Sequence, residues 1–128
     1  VRYTDIMAFD HTIKLVILFG SQATGKAGKH SDTDIAGLSD HPLTIGEKGE
    51  VSAEAAKIFN VSEDSVDVAD IWHAPPLLQQ QIASEGKLIH GDAFDFIRFR
   101  VLAWKRYLDT AKFRRAREHS LAKHYHEP

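Results

Sequence analysis

Two aspartates separated by a single threonine, Asp32 and Asp34, are the residues of this sequence best suited to chemistry. In a strand, side chains two positions apart point the same way, so both carboxylates would project from one face. A hard divalent cation relieves their repulsion best, and Mg²⁺ completes its shell with water and substrate phosphates. The pair therefore predicts a Mg²⁺ site that acts together with a phosphorylated substrate, which points towards a nucleotide.

A phosphate cradle is predicted eleven residues upstream, where Gly20 and Ser21 directly follow an apolar run. Glycine lets backbone amides approach an anion, and a serine hydroxyl donates to a phosphate oxygen. Asp67, within a later apolar run, is the candidate third carboxylate. Asp70 competes with it, but odd-even parity places Asp70 on the opposite face of the strand, which predicts a surface position or a helix cap.

Gly20-Ser21, ten further residues, the pair Asp32 and Asp34, and the later Asp67 together resemble the DNA polymerase β nucleotidyltransferase superfamily, most closely its minimal nucleotidyltransferase (MNT) branch. The resemblance covers residues 15 to about 91. It implies that Asp32 and Asp34 bind two Mg²⁺ ions, and that Asp67 binds one of them and helps to deprotonate the acceptor. Gly20 and Ser21 would hold the triphosphate of ATP.

One position of the glycine-serine loop departs from the family pattern. Many relatives carry an arginine where this sequence has Thr24, so a phosphate contact is missing or is supplied by Lys26 or Lys29. The segment from Gly20 to Lys26 also matches a P-loop, GxxxxGK, up to its last position. Ala27 replaces the Ser or Thr that would bind Mg²⁺, and the residues after Lys26 make a poor helix, so the P-loop interpretation is disfavoured.

The MNT branch includes antitoxins that transfer AMP from ATP to a tyrosine of a HEPN-domain ribonuclease toxin. Residues 94–118 resemble the tail that such antitoxins carry. The resemblance thus implies a protein adenylyltransferase with ATP as substrate and a HEPN toxin as hetero-oligomer partner. Two alternatives stay open: a non-catalytic antitoxin that acts by binding alone, and transfer to a small molecule such as an aminoglycoside, which would need a concave acceptor pocket and a second domain.

Hydrophobic patterning predicts the elements that position these residues. We expect strands over residues 15–19, 31–38 and 66–72, and helices over residues 51–59 and 76–85. Turn-forming residues predict loops at 20–31, with room for one helical turn, and at 41–49, and a short connector at 87–90.

A long amphipathic helix is predicted from Asp92 to about His119. Its apolar stripe is expected at Ile97, Val101, Trp104, Leu108 and Ala111, with basic residues on the opposite face. The prediction is an α/β fold: a small mixed sheet of three to four strands with helices covering one face. Residues 1–91 would form the nucleotidyltransferase core, and residues 92–128 a basic helix that packs on the core and stays available to a partner.

Composition limits the remaining possibilities. A chain of 128 residues fits one domain, and 43% apolar and 27% charged residues are ordinary values for a globular protein. The sequence has no cysteine and no apolar run that would span a bilayer, so we expect a cytoplasmic protein without disulfides. Net charge is −2, but residues 92–128 carry 9 Lys and Arg against 5 Asp and Glu. No nucleic-acid motif accompanies this basic region, so we expect no nucleic-acid partner.

Several residues invite other interpretations. His119, His124 and His126 could bind a metal, but a polar terminus predicts solvated side chains instead. Trp72, Trp104 and Tyr107 could stack an adenine, but aromatic residues at helical or strand spacing are expected in the core.

Overall fold

The aspartates and the glycine-serine turn are carried by a four-stranded sheet. The computed structural model of the chain describes residue 9, residues 12–25 and residues 32–126, with side chains as far as residue 122. In chain order the elements are strand β1 (Ile13–Phe19), helix α1 (Ser21–Thr24), β2 (Thr33–Ser39), α2 (Ile45–Phe59), β3 (Val66–Asp70), α3 (Pro76–Glu85), β4 (Lys87–His90) and α4 (Ala93–His126). Short 3₁₀ turns precede and follow β3, at Glu63–Ser65 and Ile71–His73.

The strand order across the sheet is β3-β2-β1-β4. β1 pairs antiparallel with both β2 and β4, whereas β2 and β3 are parallel. The expectation of a mixed sheet of three to four strands is therefore confirmed. Residues 87–90, predicted as a connector, are instead the edge strand β4, because Lys87 and Leu88 pair with Leu18 and Ile17.

The core lies on both faces of the sheet, because alternate side chains of β1 point to opposite sides. On one face Val16, Leu18 and Ile35 pack against Val51 and Ala55 of α2. On the other face a second buried cluster joins β1 and β2 to α3 and α4, and it contains Leu15, Ile17, Phe19, Ala36, Ile82, Phe99 and Ala103. The expectation that helices cover one face is wrong, since each face of a central strand this apolar needs its own cover.

Helix α2 begins at Ile45, six residues earlier than predicted. The capping box that starts it spans Thr44 to Glu47: the Glu47 amide donates to the Thr44 hydroxyl at 3.1 Å, and the Thr44 amide donates to the Glu47 carboxylate at 2.9 Å. This pattern satisfies two backbone N–H groups that the helix would otherwise leave unpaired. The predicted loop over residues 41–49 is therefore wrong in its second half.

The Glu47 carboxylate also binds Thr12 at 3.0 Å and the ring of His41 at 2.9 Å. These bonds, led by the one from the Thr44 amide, lower the pKa of Glu47 to about 2. A carboxyl group whose pKa is lower in the folded protein than in the unfolded chain stabilises the fold at pH values above its ordinary pKa. This stabilisation is lost as the pH falls towards about 2. We expect Glu47→Gln to lower the free energy of unfolding at pH 7, and this deficit to shrink steadily below pH ~4.5. Denaturant unfolding of both proteins across this range checks it, and a deficit independent of pH would contradict it.

The long helix α4 runs from Ala93 to His126, seven residues beyond its predicted end. Its buried residues are Phe99 and Ala103, with Phe96 partly buried beside them. The predicted stripe at Ile97, Val101, Trp104 and Leu108 is exposed. The helix packs on the core through Phe99 and Ala103, and the predicted stripe is a second, exposed apolar face. No helix in the part of the chain described here is both long enough and apolar enough to cross a membrane.

Candidate active site

The parallel pairing of β2 with β3 sets Asp34 directly opposite Asp67. Their neighbours Ile35 and Val68 point to the α2 face and pack in its core. Because side chains alternate along a strand, both carboxylates point to the other face, the one covered by α3 and α4. Adjacent strands lie about 4.8 Å apart, so the two carboxylates are close neighbours. The structure thus brings together the two aspartates that lie 33 residues apart in sequence.

Asp32 lies immediately before β2, which begins at Thr33, and its side chain is exposed. It is close enough to Asp34 to influence the ionisation of that carboxylate. Asp32 therefore belongs to the same acidic cluster, at its solvent side.

The glycine-serine turn lies against this cluster. Phe19 of β1 pairs with Asp34 of β2. Gly20 directly follows Phe19 and therefore lies next to the aspartate. Gly20 has φ +75° and ψ −155°, a conformation that residues with a Cβ rarely adopt, and a Cβ here would collide with the Asp34 carboxylate. Ser21 opens α1 and is half-buried. Glycine is thus required both for the turn and for the space that the carboxylate occupies.

The pKa of Asp34 is raised, first by burial and then by the negative charges of Asp67, Asp32 and Glu85. Carboxylates that repel one another in this way are suited to a divalent cation, which would relieve the repulsion. Carboxylate oxygens are the ligands that Mg²⁺ prefers, so this donor set fits the ion. Within the described residues, no group of three or more histidine, aspartate or glutamate side chains is already arranged to hold a metal ion. Mg²⁺ keeps only one or two protein carboxylates and takes its other ligands from water and substrate phosphates.

Glu85, which the sequence analysis did not identify, is a fourth carboxylate in the cluster. It is the last residue of α3, and its Oε2 accepts a hydrogen bond from the Gly20 amide at 3.2 Å. The Gln81 side-chain amide donates to the same oxygen at 3.4 Å. The spacing of Gln81 and Glu85 on one helix face is visible in the sequence, but the contact with Gly20 spans 65 residues and depends on how α3 packs.

Glu85 acts on the site both as a hydrogen-bond acceptor and as a negative charge, and two substitutions distinguish these roles. Glu85→Ala removes the acceptor for the Gly20 amide, whereas Glu85→Gln keeps an acceptor oxygen and loses only the charge. We expect the alanine variant to weaken binding of a Mg²⁺–nucleoside triphosphate about tenfold, roughly the contribution of one hydrogen bond to a charged group, and the glutamine variant to bind within about threefold of wild type. Calorimetric titration checks this, with Gln81→Ala as the control that leaves the Gly20 contact in place. Equal defects in the alanine and glutamine variants would contradict it.

The structure describes only some of the other residues that were considered for the site. Lys26 and Lys29 lie outside the described residues. Thr24 is exposed, and its hydroxyl donates to the Gly20 carbonyl at 3.2 Å. Asp70 lies on the opposite face from Asp67 and caps a turn, as predicted, but it is buried rather than on the surface. Its carboxylate accepts from the amides of Trp72 at 3.0 Å and Leu43 at 3.1 Å.

The aromatic residues are less buried than expected. Trp72 and Trp104 are exposed, so the expectation that they belong to the core is wrong. β3 ends at Asp70, and Trp72 lies in the 3₁₀ turn that follows. Trp104 meets the ring of Tyr107 edge to face, with centroids 5.8 Å apart. His119 is exposed, and the side chains of His124 and His126 are outside the described part of the chain.

A cavity of about 470 Å³ opens at the other end of the sheet, between β1, β2 and α4. Leu38, which lines it, is four residues beyond Asp34 on β2, a distance of roughly 13 Å along an extended strand. None of the four carboxylates lines this cavity. It is therefore not a pocket for a small acceptor beside the acidic cluster.

Both the sequence and the fold are similar to those of known proteins. Residues 4–94 match the family described as "Polymerase beta, Nucleotidyltransferase". The chain is 32% identical over 103 residues to a protein of Aphanizomenon flos-aquae named protein adenylyltransferase MntA, which covers 70% of this chain and 67% of that protein. This chain is also 32% identical over 83 residues to a Shewanella oneidensis protein of the same name. The aligned region covers 65% of this chain and 58% of that protein.

Two solved structures are similar over nearly the whole chain. One is a toxin-antitoxin complex with AMP-PNP, with a TM-score of 0.74, 27% identity and coverage of 89% of this chain and 90% of that one. The other contains a tri-AMPylated HEPN toxin of Shewanella oneidensis with its MNT antitoxin, with a TM-score of 0.67, 26% identity and coverage of 88% and 86%.

Proposed function

Because this chain belongs to the polymerase β nucleotidyltransferase family, we propose that it transfers AMP from ATP to a tyrosine hydroxyl of a HEPN-domain toxin and so acts as the antitoxin. The names of the relatives support the reaction, since two of them are called protein adenylyltransferases. The similar complexes support both the nucleotide and the partner, since one holds an ATP analogue and another an AMPylated HEPN toxin.

The observation that carries this proposal is the direct pairing of Asp34 with Asp67 beside the Gly20-Ser21 turn. Two carboxylates held this close need positive charge, and a glycine-containing backbone turn next to them suits an anion. A Mg²⁺–triphosphate complex meets both needs at once. A plain binding module has no reason to keep such repulsion, which opposes folding.

Each residue then has a distinct task. Asp32, Asp34 and Asp67 would hold two Mg²⁺ ions, which would neutralise charge on the phosphates. The Gly20 turn and the Ser21 hydroxyl hold the triphosphate tail, with Lys26 as a further phosphate contact. Asp67, on the solvent side of the pair, assists removal of the proton from the acceptor hydroxyl. A bond then forms from the acceptor oxygen to the α-phosphorus while the bond to pyrophosphate breaks, so positioning and charge supply most of the rate.

Intact mass spectrometry of the partner tests this proposal. The chain is incubated with ATP, Mg²⁺ and a cognate HEPN-domain toxin, and the mass of the intact toxin is measured. Each transferred AMP should add about 329 Da, and EDTA should prevent the addition, because the mechanism needs divalent cations. A toxin that binds the chain but never gains this mass would support the alternative, an antitoxin that acts by binding alone.

A further inference from the structure

Helix α4 exposes a regular row of large apolar side chains. They are Phe94 (65% exposed), Ile97 (55%), Val101 (63%), Trp104 (43%) and Leu108 (63%), called the apolar seam below. Their spacing alternates three and four residues, which places them in one line along a helix and is the repeat by which helices pack against each other. The seam points away from the sheet, because Phe99 and Ala103, on the opposite side of α4, are the residues that pack on the core.

A groove runs along the middle of this seam. It is lined by Ile97, Val101 and Trp104, with Arg100 at its side. Exposed apolar rows of this length are uncommon on monomeric proteins and mark interaction surfaces.

The charges beside the seam restrict what can cover it. Arg98, Lys105 and Lys112 follow one edge, seven residues apart, and all three are exposed. Arg100 lies on the other edge, against the ring of Phe96. Asp109 is the acidic exception near the first edge. Arg98, Lys105 and Lys112 are called the basic flank below. Within the described residues, no ion pair neutralises any of these three cations.

A second copy of the chain fits this surface poorly. In an antiparallel pair of α4 helices, the basic flank of one copy would face the basic flank of the other. In a parallel pair it would face Arg100 and Arg114. Both arrangements set like charges together at the positions that decide partner choice in helical pairs. A nucleic acid would satisfy the flank but would leave the apolar seam in water.

We infer that the apolar seam is the docking site for an amphipathic helix of a different protein, one whose apolar row is bordered by Asp and Glu. Such a helix covers the seam with apolar side chains and places its carboxylates against Arg98, Lys105 and Lys112. The inference rests on the side chains of α4 alone. It does not depend on the nucleotidyl transfer proposed for the acidic cluster.

The test uses the full chain and two labelled synthetic helices of about three heptads, with leucine along the apolar row and either glutamate or lysine at the flanking positions. Fluorescence anisotropy should show the glutamate peptide binding at least about tenfold tighter than the lysine peptide, with a preference that weakens as salt rises. The variant Arg98→Glu/Lys105→Glu/Lys112→Glu should reverse this preference.

A substitution within the apolar seam tests whether apolar contacts, and not only attraction between charges, bind the peptide. Val101→Asp should weaken binding of the glutamate peptide about 30-fold, as expected for the centre of an interface. Phe113→Asp is the matched control, because Phe113 is exposed on α4 but lies off the seam. All these positions are on the surface, so thermal unfolding should change little. Three outcomes would overturn the inference: no preference between the peptides, failure to bind the glutamate peptide, or a dimer of the chain alone that Val101→Asp dissociates.

Discussion

An Asp34→Asn variant should lose AMP transfer by roughly 1,000-fold, the scale expected when charge stabilisation is removed from the centre of a reaction site. Asp34 lies between the other groups of the cluster: it pairs with Asp67, follows Asp32 and lies against the Gly20 turn. An amide of the same shape keeps the local packing but binds a divalent cation far more weakly. Single-turnover transfer from radiolabelled ATP to the toxin measures the effect.

The same substitution should not destabilise the protein. The raised pKa of Asp34 means that its ionised form is disfavoured in the fold, so this group lowers stability as pH rises above about 4. Asparagine carries no charge to repel Asp67 and Glu85, and we expect the variant to unfold at equal or higher denaturant concentration at pH 7. Loss of transfer together with equal or greater stability would mark Asp34 as a site residue. A variant that unfolds more easily, or that keeps its activity, would contradict this account.

Gly20→Ala should reduce transfer about 100-fold, because its Cβ would displace the Asp34 carboxylate. The backbone conformation adds a second cost: a residue with a Cβ at φ +75° and ψ −155° stores about 1–3 kcal/mol of strain. Both effects act on the turn that carries Ser21. Activity and unfolding should be measured on the same preparation, since the first effect concerns the site and the second the fold.

Gly25→Ala is the matched control for this prediction. Gly25 also has a positive φ, +76°, but an added Cβ would meet no atom within 4 Å. Its ψ of +11° is that of a left-handed helix, which a residue with a Cβ adopts at a lower cost than the conformation of Gly20. The variant therefore introduces part of the backbone strain without the collision, and we expect a modest loss of stability with activity within about threefold of wild type. Similar losses of activity in the two variants would show that strain in the turn, rather than displacement of Asp34, is responsible.

Much of the acidic cluster follows from the sequence because strand geometry is so regular. The two-residue period of a strand places Asp32 and Asp34 on one side, and the same parity separates Asp67 from Asp70. The apolar run that ends at Phe19 predicts a fully buried strand, and Gly20 marks its end. Local rules of this kind need no knowledge of how the helices pack.

The errors arise where packing between distant elements decides the outcome. Periodicity shows that α4 has an apolar face at Ile97, Val101 and Trp104, but Phe99 and Ala103 form a second face, and only the docking of α4 on the sheet selects between them. The Glu85 contact with Gly20 is likewise tertiary. The start of α2 is different, because the capping box from Thr44 to Glu47 is a local signal that is present in the sequence itself.

Calorimetric titration of ATP into the chain, with Mg²⁺ and then with EDTA, measures whether the carboxylates and the glycine-serine turn together bind one metal–nucleotide complex. We expect binding with Mg²⁺, a loss of at least about tenfold in affinity with EDTA, and the same loss in Asp34→Asn with Mg²⁺ present. Equal affinity in all three titrations would show that nucleotide binding does not involve this cluster, and would contradict the account.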